Sequence, residues 1–209
     1  MKLYDNAASS ACARVRIALA LKGQSAEKLA VSIGPGAENH GDAYLRINPQ
    51  GLVPALLTED GALLTQSLAI IEYLERRFPT PPLLPENLEA AAHVRAIALV
   101  IAAETHPLLT FRIADYVNRL PGSDTATMPA WRRHWITEGF NAAEGLLARQ
   151  HGGAFASGAA PGLADIFLYP QAINAQKAGM GLEAWPTIAA VMARLRQLPA
   201  FVENGPPPA

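Results

Sequence analysis

Ser9-Ser10-Ala11-Cys12-Ala13-Arg14-Val15-Arg16-Ile17-Ala18-Leu19 occupies the point where a first strand hands over to a first helix. Ahead of it Lys2-Leu3-Tyr4 reads as a short strand, and Asp5-Asn6 are polar residues that end strands and start turns. From Cys12 onward Val15, Ala18, Leu19 and Ala20 supply apolar positions at helical spacing, with Lys22 in the last turn and Gly23 as a stop. Ser9 and Ser10 therefore fall at or just before a helix N-terminus, where unpaired backbone N–H groups and the helix dipole favour an anion. One reading is a plain N-cap, worth about 1 kcal/mol. The other is a site for holding a thiolate.

Ala26 to Ile33 forms a second strand, parallel to the first because a helix separates them. Gly34 to Gly41 is a surface loop by its breakers, and it matches neither a phosphate loop nor a dinucleotide fingerprint. A short helix around Asp42 to Arg46 leads to Asn48-Pro49, after which Val53 to Thr58 and Ala62 to Leu64 flank Glu59-Asp60-Gly61, a hairpin signal. Ser67 caps a helix carrying Leu68, Ile71, Leu74 and Phe78, which ends before Pro79. The proline-rich run Pro79 to Pro85 reads as a stiff connector between domains.

Everything after about Leu88 reads as helix. A long pattern runs from Leu88 to Arg119 and is expected to bend near His106-Pro107. A second helix spans Pro129 to Gln150, with Ile136, Phe140, Ala143 and Leu147 as a core stripe. Gly152-Gly153 break the chain, Asp165 begins a helix with Ile166, Tyr169 and Ile173 inward, and Pro186 opens a last helix to Leu198. The tail Pro206 to Ala209 is expected to be mobile. The expected division is therefore 1–79, a linker over 80–87, and an all-helical 88–209.

Composition narrows the function. In 209 residues, 17 basic side chains face 18 acidic ones, so no electrostatic footprint for nucleic acid is expected. A single cysteine excludes an internal disulfide and a CxxC redox pair, and the five histidines show no metal-ligand spacing. Met1-Lys2-Leu3 runs straight into folded-looking sequence, and no apolar run approaches about 18 residues, so a soluble cytoplasmic protein without membrane or metal partners is expected.

The element order β-α-β-α-β-β-α followed by an all-helical half resembles the cytosolic glutathione transferase superfamily, and within it the zeta class, whose motif is close to SSCxxRVRIAL. Asn48-Pro49 before Val53-Pro54, Gln66 to Glu75, Pro79-Thr80-Pro81 before Leu83-Leu84-Pro85, and Ala164-Asp165 before Pro170-Gln171 resemble the family in the same order. The resemblance implies an α+β protein: a thioredoxin-like N-terminal domain followed by an all-α C-terminal bundle. It also implies glutathione as cofactor, a small-molecule substrate, a symmetric homodimer, and glutathione-dependent cis–trans isomerisation of an enedioyl acid such as maleylacetoacetate or maleylpyruvate, in aromatic amino acid catabolism.

Residue by residue, the resemblance implies that Pro54 is cis and that the Val53 backbone pairs with glutathione as an added strand. Gln66 and Ser67 match the segment that takes the γ-glutamyl carboxylate, and His40 lies in a loop that can reach the glycyl carboxylate. Ser9, with Ser10 next in line, is the donor to the glutathione sulfur. Arg14 and Arg16 stand two apart and cannot share a helix face, so one pairs structurally, Arg16 for preference, while Arg14 adds positive potential near the site. Cys12 is either a reactive thiol at a helix start or a small buried hydrophobe. His106 and Glu104 lie on a long helix that in the family faces the partner's site.

The chain also departs from the pattern. Ala11 takes the place of the motif cysteine. Isomerases of the class present arginines to a dicarboxylate substrate, yet Ala7-Ala8 precede the serines here and Gln176-Lys177 stand where an arginine is expected. Arg112 is the surviving candidate and Lys177 a substitute without the planar fork of arginine. Those losses keep two rivals open: a glutathione transferase or dehalogenase acting on α-halo acids or other electrophiles, and a non-catalytic glutathione-binding module.

Overall fold

The first strand, β1 (Lys2–Asp5), is the centre of a four-stranded mixed sheet of order β2-β1-β3-β4 in the structure, a computed structural model describing residues 1–149 and 153–208. Strand β2 (Glu27–Ala30) runs parallel to β1, with Leu3 opposite Lys28. Helix α1 (Ser10–Leu21) makes the crossover that a parallel pair requires. Strands β3 (Ala55–Leu57) and β4 (Leu63–Thr65) pair antiparallel, with Leu56 opposite both Leu3 and Leu64. The hairpin closes as its Asp-Gly pair predicts: Gly61 takes φ +82°, and the Thr58 hydroxyl accepts the Ala62 N–H at 3.0 Å. Helix α2 (Asp42–Leu45) follows a 3-10 turn at Glu38–His40.

Helix α3 (Ser67–Arg77) packs beside α1. Of the expected stripe Ile71 and Leu74 are buried while Leu68 and Phe78 are half-buried, and Ile70 completes the buried face. Phe78 already lies beyond the helix, under the Arg77 guanidinium at 5.2 Å. With Leu3, Ile17 and Leu56 these side chains form a core in which each is worth about 1.5–3 kcal/mol of transfer free energy.

The chain divides into two compact units, Met1–Pro82 with Glu203–Pro207, and Leu83–Val202 with Pro208. The tail therefore differs from the mobile end expected: residues 203–207 return to the first unit, and Pro206 is buried. Leu83, read as connector, is a buried residue of the second unit whose carbonyl accepts the Leu163 N–H at 2.9 Å.

Apart from an isolated bridge between Phe155 and Gly158, the regular elements among the second unit's described residues are helices: α4 (Leu88–Leu99), α5 (Phe111–Asn118), α6 (Thr127–Ala148), α7 (Leu163–Lys177), α8 (Pro186–Leu195) and α9 (Pro199–Val202). The long helix expected from Leu88 to Arg119 is interrupted, but not at Pro107. After α4 the chain widens into a π turn at Val100–Thr105, where the Thr105 hydroxyl donates to the Val100 carbonyl at 2.9 Å, then tightens to a 3-10 turn at His106–Leu109. Pro107 sits at the start of that turn, where its missing N–H costs nothing, and the 43° bend falls at Thr110, whose backbone is extended. No single helix among the described residues is long and apolar enough to cross a membrane.

Helix α6 starts before Pro129 because the Asp124 carboxylate accepts the N–H groups of Ala126 and Thr127 at 2.9 and 3.0 Å. Its expected end at Gln150, the breaker Gly152 and the terminal Ala209 lie outside the described residues. The expected stripe Ile136, Phe140, Ala143 and Leu147 is buried. Asp165 is not the first residue of its helix: α7 begins at Leu163, and the fully buried Asp165 carboxylate accepts the N–H groups of Ala156, Ser157 and Gly162 at 2.8–3.0 Å. Burial pushes that carboxyl up, against the pull of those amides. Glu144 of α6 accepts the N–H groups of Thr187 and Ile188 at 2.7 and 2.9 Å, completing the N-terminus of α8.

Candidate active site

The turn between β1 and α1 is built to present Ser9. Asn6 organises it: its carbonyl accepts the Ser9 N–H at 3.0 Å, its side-chain oxygen accepts the Ala8 N–H at 3.1 Å, and its amide donates to the Val31 carbonyl at 2.9 Å. Ser9 is the N-cap of α1, with its hydroxyl oxygen accepting the Cys12 N–H at 3.2 Å. A hydroxyl has one proton to donate and lone pairs to accept with. Capping uses a lone pair, so capping and donation to an anion coexist at this oxygen. Ser9 is half-buried, whereas Ser10 is buried in the first turn, which separates the two candidate serines.

Cys12 does not have the geometry of a reactive thiol. It is fully buried, its sulfur accepts the Asn6 N–H at 3.4 Å, and burial pushes its pKa up to about 12, outweighing the Ser9 hydroxyl that lowers it. A protonated sulfur inside the core is not a nucleophile. The bland alternative, a small hydrophobe, is the one the packing supports.

The two arginines separate as their spacing requires. Arg16 is buried and pairs with Asp5 at the end of β1. Arg14, equally buried, reaches α3 instead, where its Nη1 donates to the Ser67 hydroxyl at 3.4 Å. Burial pulls the Arg14 pKa down to about 9, which leaves it cationic at neutral pH. Ser67 is the first residue of α3, so a buried cation, a hydroxyl and the N–H groups of a helix start converge. Gln66 just before it takes φ +68°, a backbone conformation that costs a non-glycine residue about 1–3 kcal/mol and clusters at ligand clamps.

The Val53–Pro54 peptide is cis. The loop ahead of it is pinned from several sides: the Leu52 carbonyl accepts from the Tyr44 hydroxyl at 2.8 Å and the Asn48 amide at 2.6 Å, and the Asn39 amide donates to the Gly51 carbonyl at 2.8 Å. Gly51 has φ +62°, and a Cβ there would stand 2.9 Å from the Asn39 carbonyl oxygen and 3.3 Å from His40 Nδ1, so only glycine lets the 3-10 turn carrying His40 approach. His40 itself is exposed. Sequence reasoning missed Gln50, whose side-chain oxygen accepts from the Gln66 amide at 2.9 Å and ties this loop to the start of α3. Its only signal was its place after Asn48-Pro49. The structure thus gathers the first-unit candidates around three features: the Ser9 cap, the Arg14–Ser67 helix start, and the Gly51–Pro54 loop with His40.

The remaining candidates belong to the second unit, on separate elements. His106 is half-buried at the start of the 3-10 turn, and Glu104 is exposed in the π turn. Arg112 is exposed in the first turn of α5. A cation opposes the helix dipole there, and the cap hydroxyl of Thr110 is turned away to the Pro107 carbonyl at 3.0 Å, leaving the N-terminal N–H groups without a side-chain cap. Arg112 and those groups suit a carboxylate. Lys177 is exposed in the last turn of α7, while neighbouring Gln176 accepts from Arg196 at 2.9 Å.

A mixed four-stranded sheet with a cis proline ahead of β3 and a serine-capped crossover helix, followed by a helical bundle, defines a thioredoxin-like unit joined to an all-α unit. The glutathione S-transferase N-terminal domain family matches residues 3–82, and the glutathione S-transferase C-terminal domain family matches residues 129–195. A maleylacetoacetate isomerase from Pseudomonas aeruginosa is 42% identical over 207 residues, 99% of this chain and 96% of that protein. The holo structure of a maleylpyruvate isomerase, a bacterial glutathione S-transferase of the zeta class, superimposes with a TM-score of 0.93 at 42% identity, covering 99% of this chain and 97% of the other. A maleylacetoacetate isomerase from Methylobacterium extorquens AM1 with bound malonate and glutathione gives a TM-score of 0.93 at 37% identity, covering 99% and 96%. The chain belongs to the glutathione S-transferase family, in its zeta class.

Proposed function

We propose that this protein is a glutathione-dependent cis–trans isomerase of maleylacetoacetate or maleylpyruvate. The observation that carries the proposal is the Ser9 hydroxyl, which caps α1 through its oxygen and keeps its proton for a thiolate at the helix N-terminus. The first unit fits glutathione. The cation–hydroxyl–helix start at Arg14 and Ser67, with Gln66, suits the γ-glutamyl carboxylate. The Val53 backbone ahead of cis Pro54, where the chain enters β3, suits pairing with the peptide backbone of glutathione, and His40 suits the glycyl carboxylate.

When bound, glutathione supplies a thiolate that adds to the activated double bond, allows rotation about the resulting single bond, and leaves by elimination unconsumed. Ser9 steadies the sulfur as an anion; each pKa unit of depression needs about 1.4 kcal/mol of differential stabilisation, within reach of one hydroxyl plus a helix start. Arg14 adds positive potential, and Arg112 holds a substrate carboxylate, with Lys177 as a weaker second cation. By the family resemblance, His106 serves glutathione in the partner subunit's site. The protein acts as a cytoplasmic homodimer in this reading, and exposed Phe111, Tyr116, Leu88 and Leu99 are apolar side chains of the kind such an interface covers.

A second reading, transfer of glutathione to an electrophile such as an α-halo acid, is favoured by Ala7-Ala8 ahead of the serines and by Gln176, a neutral amide bonded to Arg196, standing where an arginine is expected. The deciding experiment follows maleylpyruvate absorbance and free thiol together, with glutathione far below substrate. The expected result is full conversion with thiol unchanged. Thiol loss in step with product, or turnover only with a chloro acid, transfers the assignment to the second reading.

A further inference from the structure

Arg16 is the most fully used side chain in the first unit. A guanidinium has five N–H donors in a planar fork, and each finds an acceptor here. Nε donates to the Asn204 carbonyl at 3.1 Å. Nη1 donates to Asp5 and to the Asn6 carbonyl at 3.2 Å. Nη2 donates to the Ala7 carbonyl at 3.1 Å and the Gly205 carbonyl at 3.4 Å. One buried group therefore grips the loop that presents Ser9 and, with its other edge, the chain's C-terminal segment Glu203–Pro207, which belongs to the same unit.

The Asn6 carbonyl is the shared point, because it also accepts the Ser9 N–H at 3.0 Å. A shift of Arg16 moves that carbonyl, and with it the backbone of the residue whose hydroxyl caps α1. Without the tail carbonyls, two of the five donors of a buried cation lose their acceptors, and the guanidinium re-aims to recover them. We propose that Arg16 is a positioning residue and residues 203–207 a strap: docking of the strap on the rear edge of the guanidinium sets the loop Asn6–Ser9, and so the aim of the Ser9 hydroxyl. The effect on the reaction rests on Ser9 being the donor to the glutathione sulfur; the coupling of strap to loop does not.

Two variants test it in the full chain. Arg16→Lys keeps a cation beside Asp5 but has three donors and no fork, so it cannot span loop and strap. Pro206→Asp places a charge at a buried strap position and leaves Arg16, Asp5 and the loop unaltered. Hydrogen exchange without ligand, in protein whose urea midpoint shows it folded, is expected to quicken about tenfold or more over both Asn204–Gly205 and Asn6–Ser9 in either variant. In the isomerase assay kcat is expected to fall about tenfold while KM for glutathione stays within about twofold, since the other first-unit groups assigned to glutathione lie on the cis-proline loop, the turn carrying His40 and α3. A Pro206→Asp protein whose strap exchanges freely while loop exchange and kcat stay at the wild-type level overturns the proposal. Absence of isomerase activity in the wild type defeats the functional reading instead, and the exchange coupling still stands or falls alone.

Discussion

At the scale of single residues, adjacent positions of one helix turn have opposite characters. Ser9 is half-buried with a proton to give; Cys12, whose N–H it accepts, is sealed in the core with its pKa raised to about 12. The sign of the linkage follows. A thiol that ionises near 9 when unfolded and near 12 when folded contributes stability that is fully present below about pH 9 and is lost as pH rises toward about 12. Wild type should therefore lose about 1–2 kcal/mol relative to Cys12→Ala between about pH 8 and about pH 10.5, read from urea midpoints. An unchanged difference between the two proteins contradicts a buried thiol. Arg14 and Arg16 teach the same lesson. Their spacing shows that they face different ways, but only packing shows which reaches Ser67 and which Asp5.

At the scale of elements, local chemistry was legible where punctuation is strong and illegible where tertiary contact decides. Asp60-Gly61 gives the hairpin, Ser9 the start of α1, and Pro186 the start of α8. The π turn at Val100–Thr105 has no such mark: its residues are ordinary helix formers, and the widening is made by the Thr105 hydroxyl and by what packs on it. Gly139 of α6 is that neighbour, for a Cβ there would stand 1.9 Å from the Thr105 hydroxyl oxygen. Gly139→Ala should cost about 1–3 kcal/mol by overpacking, and Thr105→Ala in the same chain should recover part of it. A double-mutant cycle by urea denaturation checks the coupling, and strict additivity contradicts it.

At the scale of the whole molecule, the mixed sheet, the helical second half and the serine-bearing loop were all readable, because each rests on periodicity or breakers within a few residues of itself. The Gln50–Gln66 bond, the return of the tail to Arg16 and the capping of α8 by Glu144 were not, because they join residues far apart in sequence. In the proposed function, what the fold assembles from both kinds is a helix start that holds a sulfur anion. The most direct test of that claim is an ultraviolet titration of the thiolate of glutathione bound to wild-type protein and to Ser9→Ala. The account predicts a bound thiol pKa about two units below that of free glutathione in the wild type, return most of the way in Ser9→Ala, and a loss of about 10²-fold in kcat. A depressed pKa that survives in Ser9→Ala, or a wild-type value equal to that of free glutathione, contradicts it.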